Sequence, residues 1–346
     1  MSLRGLIART LLKLPEIWLL KLSGGEPYKI GERTLDPQLQ FLMHQGRNNP
    51  PFSELGAVKA RAAANEAISM IAAKPEPGVV ISDSTIPGAD DYQIQIGIYR
   101  PEIQHMKAPL MVYYHQGGGV IGNLDWPNVI CSMISKIACC PVVSVDYRLA
   151  PEHKFPAGLD DCIAAYEWGL RNAESLGAPS GIAAIGGDSM GGNFAAIIAQ
   201  EMKRLQKPAP KLQLLIYPAT DIQGEYRSRE THGQTFTLTS ELMDWFMGQY
   251  LPDGTDLNDL RISPARETSL TGLPPAIVVT AGFDPLVDEG DAYAALLSDA
   301  GNDVIHQRYD TMAHGFTAFT AASMAADAAC REIAEMVLTV YKRHSE

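Results

Sequence analysis

Positive charge is in short supply in this 346-residue chain: 28 Lys and Arg stand against 40 Asp and Glu, a formal net charge of −12. Without a basic face there is no electrostatic footprint for nucleic acid or an anionic bilayer, and neither is expected as a partner. Long apolar runs are missing as well. The leucine-rich first 22 residues are interrupted by Arg9, Lys13 and Glu16, short of the roughly 20 apolar residues that a membrane span requires. No small-residue cleavage site follows cleanly, so a targeting segment is not expected. Leu3, Leu6, Ile7, Leu11, Leu14, Trp18 and Leu22 recur instead at helical spacing, which predicts an amphipathic helix that either covers the protein's own pocket or rests on a lipid surface. The five cysteines (Cys131, Cys139, Cys140, Cys162 and Cys330) are an odd count without zinc-like spacing. A disulfide scaffold is therefore not expected, and reduced thiols in a cytoplasmic protein are. No His-Glu-x-x-His pattern offers a metal site, and no lysine has a serine three residues before it, which removes a Ser-x-x-Lys nucleophile. Internal repeats and low-complexity linkers are absent too.

What remains is a chain with 46% hydrophobic and 20% charged residues, long enough to bury a sizeable core. Residues 23–73 read as helical with breaks at Gly24-Gly25, Pro37 and Asn49-Pro50-Pro51, ending in an alanine-rich helix over about 53–73. Residues 79–86 and 93–100 then read as two strands of a hairpin, joined by a turn at 87–91. After them, short apolar runs at 109–114, 141–145, 182–185, 212–217, 276–280 and 304–309 alternate with helical segments. That alternation predicts an α/β fold, a mostly parallel sheet with helices on both faces. Ligands of such sheets bind beyond the C-terminal strand ends. More than fifty residues separate Pro218 from Leu273, carrying Phe236, Leu242, Met243, Trp245, Phe246, Met247 and Tyr250. They suit either a cover over an apolar pocket or an ordinary helix pair closing the core.

The chemistry falls at the strand ends. Gly187-Asp188-Ser189-Met190-Gly191 fits the Gly-x-Ser-x-Gly nucleophile elbow between a strand and a small-residue helix. The turn strains its central residue and leaves no room for side chains at its flanks. A serine hydroxyl needs a histidine to take its proton and an acid to hold that histidine in one tautomer. His314 follows the last strand and Asp284 the strand before it, in the order Ser189, Asp284, His314 known for hydrolases. Other histidines, His44, His105, His153, His232, His306 and His344, are not placed just after a late strand. Glu289, one helical turn beyond Asp284, is the competing acid. The glycines of Tyr114-His115-Gln116-Gly117-Gly118-Gly119 end the first parallel strand and offer backbone N–H groups to an oxyanion, with Met190 N–H as a third donor. The same stretch, Gly117 to Gly122, also satisfies Gly-x-Gly-x-x-Gly, with Asp146 where a ribose-binding acid would lie, and so carries a rival reading as a dinucleotide-binding domain. Pro127 counts against it by delaying the helix that should hold the pyrophosphate.

Taken together, the His115 loop, the block from Asp146 through Arg148, Pro151 and His153, the Gly187-Asp188-Ser189 elbow, the run Asp284-Pro285-Leu286-Val287-Asp288-Glu289 and His314-Gly315-Phe316 resemble the hormone-sensitive-lipase family of α/β-hydrolase esterases (bacterial family IV). The resemblance runs from about residue 75 onward. It implies an eight-stranded sheet with one antiparallel pairing and a helical cap, and a carboxylesterase that prefers short acyl chains. It also implies Ser189, Asp284 and His314 as the triad and Gly117, Gly118 and Met190 as oxyanion donors. No cofactor or metal is implied. The domains expected are cap helices over 1–50, a catalytic domain over 51–220 and 273–346, and a cap insertion over 221–272. The sequence departs from the family pattern at three places: Gln116 replaces the first loop glycine, Gly119 the aromatic that follows the loop, and Met190 a small alanine. An amidase or lactonase using the same triad is the nearest alternative. Some relatives of the fold bind ligand without catalysis after losing the histidine, which His314 argues against. The expected partner is a small-molecule ester, and a homodimer is left open.

Overall fold

Residues 10–90, 92–104, 108–233 and 237–344 are described by a computed structural model of the chain. Residues 1–9 of the N-terminal segment, His105 and Phe236 lie outside them. In chain order the elements are α1 (Glu16–Leu22), a two-residue hairpin of β1 (Lys29–Ile30) and β2 (Arg33–Thr34), α2 (Pro37–Gly46), α3 (Phe52–Leu55) and α4 (Ala57–Ile71). Next come β3 (Val79–Pro87), β4 (Gln93–Pro101), β5 (Leu110–Tyr114), α5 (Asn128–Ile137), β6 (Val142–Asp146), α6 (Ala157–Asn172), β7 (Ala183–Asp188) and α7 (Met190–Arg204). The chain continues through β8 (Gln213–Ile216), α8 (Arg227–His232), α9 (Ser240–Tyr250), β9 (Ala276–Phe283), α10 (Val287–Asp299), β10 (Val304–Ala313) and α11 (Met324–Arg343).

The strands from β3 to β10 form one eight-stranded sheet in the order β10-β9-β8-β7-β5-β6-β4-β3. The resemblance implied one antiparallel pairing; there are two, because β4 runs against both of its neighbours, β3 and β6. Every other pairing is parallel. Side chains alternate across the sheet with the two-residue period of a strand. Leu110, Val112 and Tyr114 of β5 enter the apolar cluster that holds Phe194 of α7 and Leu297 of α10. Met111 and Tyr113 enter the opposite cluster, with Ile134 of α5 and Ile333 of α11. Both faces are thereby covered, which explains why the central strands read as unbroken apolar runs.

Two helical readings need correction. The alanine-rich stretch over 53–73 is two helices, since Gly56 at φ +72° ends α3 and opens α4. In the N-terminal segment helix is interrupted before Pro15, and α1 starts anew behind it. This segment does pack on the protein, through Leu12 and Leu19 against Phe41 and Ala322, while Ile17, Trp18 and Leu22 stay exposed. Among the described residues no helix is long and apolar enough to cross a membrane. The β1–β2 hairpin, unread in the sequence, is too short to show a strand period.

Candidate active site

Strands β5, β7, β9 and β10 are parallel and aligned in register, so their C-terminal ends deliver residues 115–119, Ser189, Asp284 and His314 to one edge of the sheet. Ser189 sits between β7 and α7 at φ +55° and ψ −116°, a conformation costing a non-glycine residue of order 1–3 kcal/mol. The surrounding structure over-determines it. A Cβ on Gly187 would lie 2.4 Å from the Gly191 carbonyl carbon, and one on Gly191 1.9 Å from the Tyr114 carbonyl oxygen. The two motif glycines are therefore demanded by backbone-to-backbone contact, as the tight turn requires. Ser189 N–H donates to Ile216 O at 2.8 Å, tying the elbow to β8.

His314 Nε2 lies 2.9 Å from Ser189 Oγ, and His314 Nδ1 lies 2.7 Å from Asp284 Oδ2. All three side chains are buried. The other Asp284 oxygen accepts from Leu286 N–H at 2.8 Å, which sets the carboxylate plane. Glu289, the competing acid, points elsewhere. One of its oxygens accepts from Thr220 N–H at 2.7 Å, and the other pairs with Arg229 at 2.5 Å. Burial raises its carboxyl above the usual range while Arg229 pulls it back.

The glycine loop stands opposite. Among the described residues none accepts a hydrogen bond from the backbone N–H of Gly117, Gly118 or Met190. Gly117, Gly118 and Gly119 all have positive φ. His115 braces the loop from beneath: its Nδ1 meets Gln116 O at 2.7 Å and its ring stacks on Tyr147 at 4.3 Å. Burial lowers the His115 pKa to about 4, so this imidazole is neutral and Nδ1–H is the donor. The rival dinucleotide reading finds no support in the geometry. The loop leads into turns, and α5 begins only at Asn128, behind Pro127. Among the described residues the glycines open no helix of their own, and Asp146 lies 4.0 Å from His115 Nε2.

Several residues at the site escaped the sequence reading. Tyr217, at the end of β8, lies against the His314 ring at 4.8 Å. Its hydroxyl and that of Thr317 donate to Asp188 Oδ2 at 3.0 and 2.8 Å. Burial pushes the Asp188 carboxyl up, against those hydrogen bonds. Gln116 Nε2 reaches Thr317 Oγ at 3.4 Å and so connects the glycine loop to the loop that carries His314. From the long insertion, Thr237 Oγ donates to His314 O at 2.5 Å. Only the Asp of the elbow motif and Gln116, a departure from the family's loop, offered a signal for any of this.

Ser189, His314, Gln116 and Gly118 open onto a cleft of about 460 Å³. Its remaining wall is mainly apolar, with Ala64 and Ile68 of α4, Leu242 and Phe246 of α9, and Phe319 among the lining residues.

Residues 111–318 match the family model for the alpha/beta hydrolase fold. The chain belongs to that family, in its hormone-sensitive-lipase-like branch, and is a carboxylic ester hydrolase. It is 39% identical over 303 residues to carboxylic ester hydrolase LipN of Mycobacterium tuberculosis, covering 85% of this chain and 80% of that one. To the ethyl acetate hydrolase of Pseudomonas putida it is 35% identical, over 72% of this chain and 80% of the relative. Among solved structures, an ester hydrolase from the metagenome of Lake Arreo superposes with a TM-score of 0.84 at 38% identity, covering 88% of this chain and 98% of the other. The hyperthermophilic esterase of Pyrobaculum calidifontis superposes with a TM-score of 0.82 at 35% identity, over 88% and 98%.

Proposed function

We propose that the protein hydrolyses short-chain carboxylic esters through an acyl-enzyme on Ser189. The observation that carries this reading is the unbroken hydrogen-bonded chain from Ser189 Oγ through His314 to Asp284, open to an apolar cleft. Ser189 Oγ attacks the ester carbonyl carbon while His314 Nε2 takes its proton. Negative charge gathers on the former carbonyl oxygen, where the N–H groups of Gly117, Gly118 and Met190 receive it. The tetrahedral intermediate collapses, the C–O bond to the alcohol breaks, and His314 returns the proton to the departing oxygen. Water, deprotonated by the same imidazole, then attacks the acyl-serine; the carboxylic acid leaves and Ser189 regains its hydrogen. Asp284 holds Nδ1–H throughout and stabilises the imidazolium that forms twice per cycle.

The short-chain preference rests on size. Met190 flanks the nucleophile where a small residue would leave space, and α4 and α9 close the cleft above it. Each methylene that gains or loses its contacts changes transition-state binding by about 1 kcal/mol. Across a nitrophenyl ester series, kcat/KM is expected to peak between about two and six acyl carbons. Faster turnover of long-chain triglyceride than of butyrate ester would contradict it. The same panel with amides and lactones separates the ester reading from its nearest alternatives. The relative named ethyl acetate hydrolase supports a small acyl group and a small alcohol. We assign the covering layer to residues 1–50 and 221–272, and add to it α4 as far as Ile71, counted above with the catalytic domain, because α4 lines the cleft. The five cysteines are free thiols, which supports a reducing, cytoplasmic compartment.

A further inference from the structure

We propose that Phe246 and Tyr250, on the covering helix α9, are positioning residues that hold the glycine loop with its N–H groups aimed at the substrate oxygen. The inference rests on the reading of Gly117 and Gly118 as oxyanion donors. Three consecutive glycines have little conformational preference of their own, so a donor geometry must be imposed on them from outside. Gly117 is confined by its own chain: a Cβ there would lie 2.0 Å from the Ile121 carbonyl oxygen. Gly118 and Gly119 are confined by α9. A Cβ on Gly118 would lie 2.4 Å from Phe246 Cγ, with Cδ1 and Cδ2 at 2.6 and 2.7 Å. Three ring atoms at nearly equal distances mean that the ring lies flat over that backbone. A Cβ on Gly119 would lie 2.7 Å from Tyr250 Cδ2.

Tyr250 is itself fixed, and Phe246 is buried one helical turn before it. Tyr250 packs edge-on against Phe155 at 5.9 Å and tilted against Phe194 of α7 at 6.4 Å. Phe194 meets Tyr147 at 5.1 Å, and Tyr147 stacks on His115. The C-terminal end of α9 is bolted down by Phe155 N–H donating to Tyr250 O, and by Lys154 Nζ donating to Leu251 O, both at 2.9 Å. The loop is thus held between His115 beneath and two rings of the covering layer above, and α9 belongs to the apparatus that stabilises the transition state. The third donor, Met190 N–H, sits at the start of α7 and does not depend on this contact.

The test compares a nitrophenyl butyrate with its thionobutyrate analogue, in which sulfur replaces the carbonyl oxygen and accepts hydrogen bonds poorly. Because the two substrates share acyl and alcohol groups, the change in cleft volume made by a substitution cancels in their kcat ratio, after correction for their rates with hydroxide. The unsubstituted enzyme is expected to favour the oxygen ester by about 100-fold or more, the scale of one oxyanion-hole donor's contribution. Phe246→Ala is expected to lower kcat for the oxygen ester by about tenfold or more, with the thiono ester changed less than about threefold, so that the ratio collapses. Tyr250→Leu, which keeps apolar bulk but removes the ring from Gly119, moves the ratio the same way. Should Phe246→Ala not fold, the ratio is read on Phe246→Leu, where a fall of about threefold is expected. A ratio unchanged by these substitutions, even with lower overall activity, overturns the positioning role while leaving the donors in place. A ratio near one in the unsubstituted enzyme means instead that the oxyanion reading has failed, and this inference with it.

Discussion

Ser189→Ala is expected to lose about 10⁶-fold in kcat, the cost of removing the nucleophile from a serine triad, together with all labelling by a fluorophosphonate probe. The physical ground is the elbow. Ser189 is held at φ +55° in a turn whose flanking glycines have no space for a side chain, and its Oγ is 2.9 Å from the imidazole that would deprotonate it. Alanine keeps the backbone and removes only the oxygen. The elbow's strain remains, and so does Ser189 N–H donating to Ile216 O; the thermal midpoint is therefore expected to change little while turnover disappears. One equivalent of probe per chain, mapped by peptide mass to Ser189, is the matching observation on the unsubstituted protein. Labelling that persists in Ser189→Ala would locate the nucleophile elsewhere and remove the mechanism proposed above.

Asp284→Asn is expected to lower kcat by about four orders of magnitude, since an amide facing Nδ1 favours the tautomer that cannot accept the serine proton. Glu289→Gln, five residues along the same turn, is expected to cost less than about tenfold in kcat, because nothing in its contacts reaches His314. Its effect should fall on stability. Glu289 is fully buried, accepts from Thr220 N–H and pairs with Arg229, which also donates to Ile222 O and Asp221 O. The amide can accept one of these bonds, but it leaves a cation without its counter-charge and presents a surplus donor, a loss on the order of 1–3 kcal/mol. The pair of variants therefore separates in two measurements at once: Asp284→Asn in kcat with a modest change in melting temperature, and Glu289→Gln in melting temperature with a modest change in kcat. A larger kcat loss in Glu289→Gln would assign the acid to Glu289 and refute the role given to Asp284.

The parts of the site legible in the sequence are those with a local cause. A strand that ends in Gly-Asp-Ser-Met-Gly must turn sharply before its helix, because only glycine tolerates the contacts that Gly187 and Gly191 make with backbone atoms. Six apolar runs alternating with helices imply a parallel sheet, and a parallel sheet brings the ends of β5, β7, β9 and β10 to one edge. Ser189, Asp284, His314 and the glycine loop could be named in advance for that reason. Where local pattern was thin, the reading faltered. Gly56 divides a stretch that composition alone makes one helix, and β1 and β2 are too short to show an alternation.

Tertiary structure decided everything that depends on residues far apart in the chain. Both Asp284 and Glu289 stand where an acid could reach His314, and only the path of the insertion, which carries Arg229 to Glu289, commits one of them elsewhere. Gln116 meets Thr317 across 201 positions, and Tyr217 meets Thr317 across 100. The rings of Phe246 and Tyr250 lie on Gly118 and Gly119 although more than a hundred residues intervene. Periodicity reports which face of an element is apolar, and a motif reports how the backbone bends around it. Neither contains the partner of a side chain, because that partner is chosen by the packing of elements whose crossing is settled only when the whole sheet and its covering helices have closed.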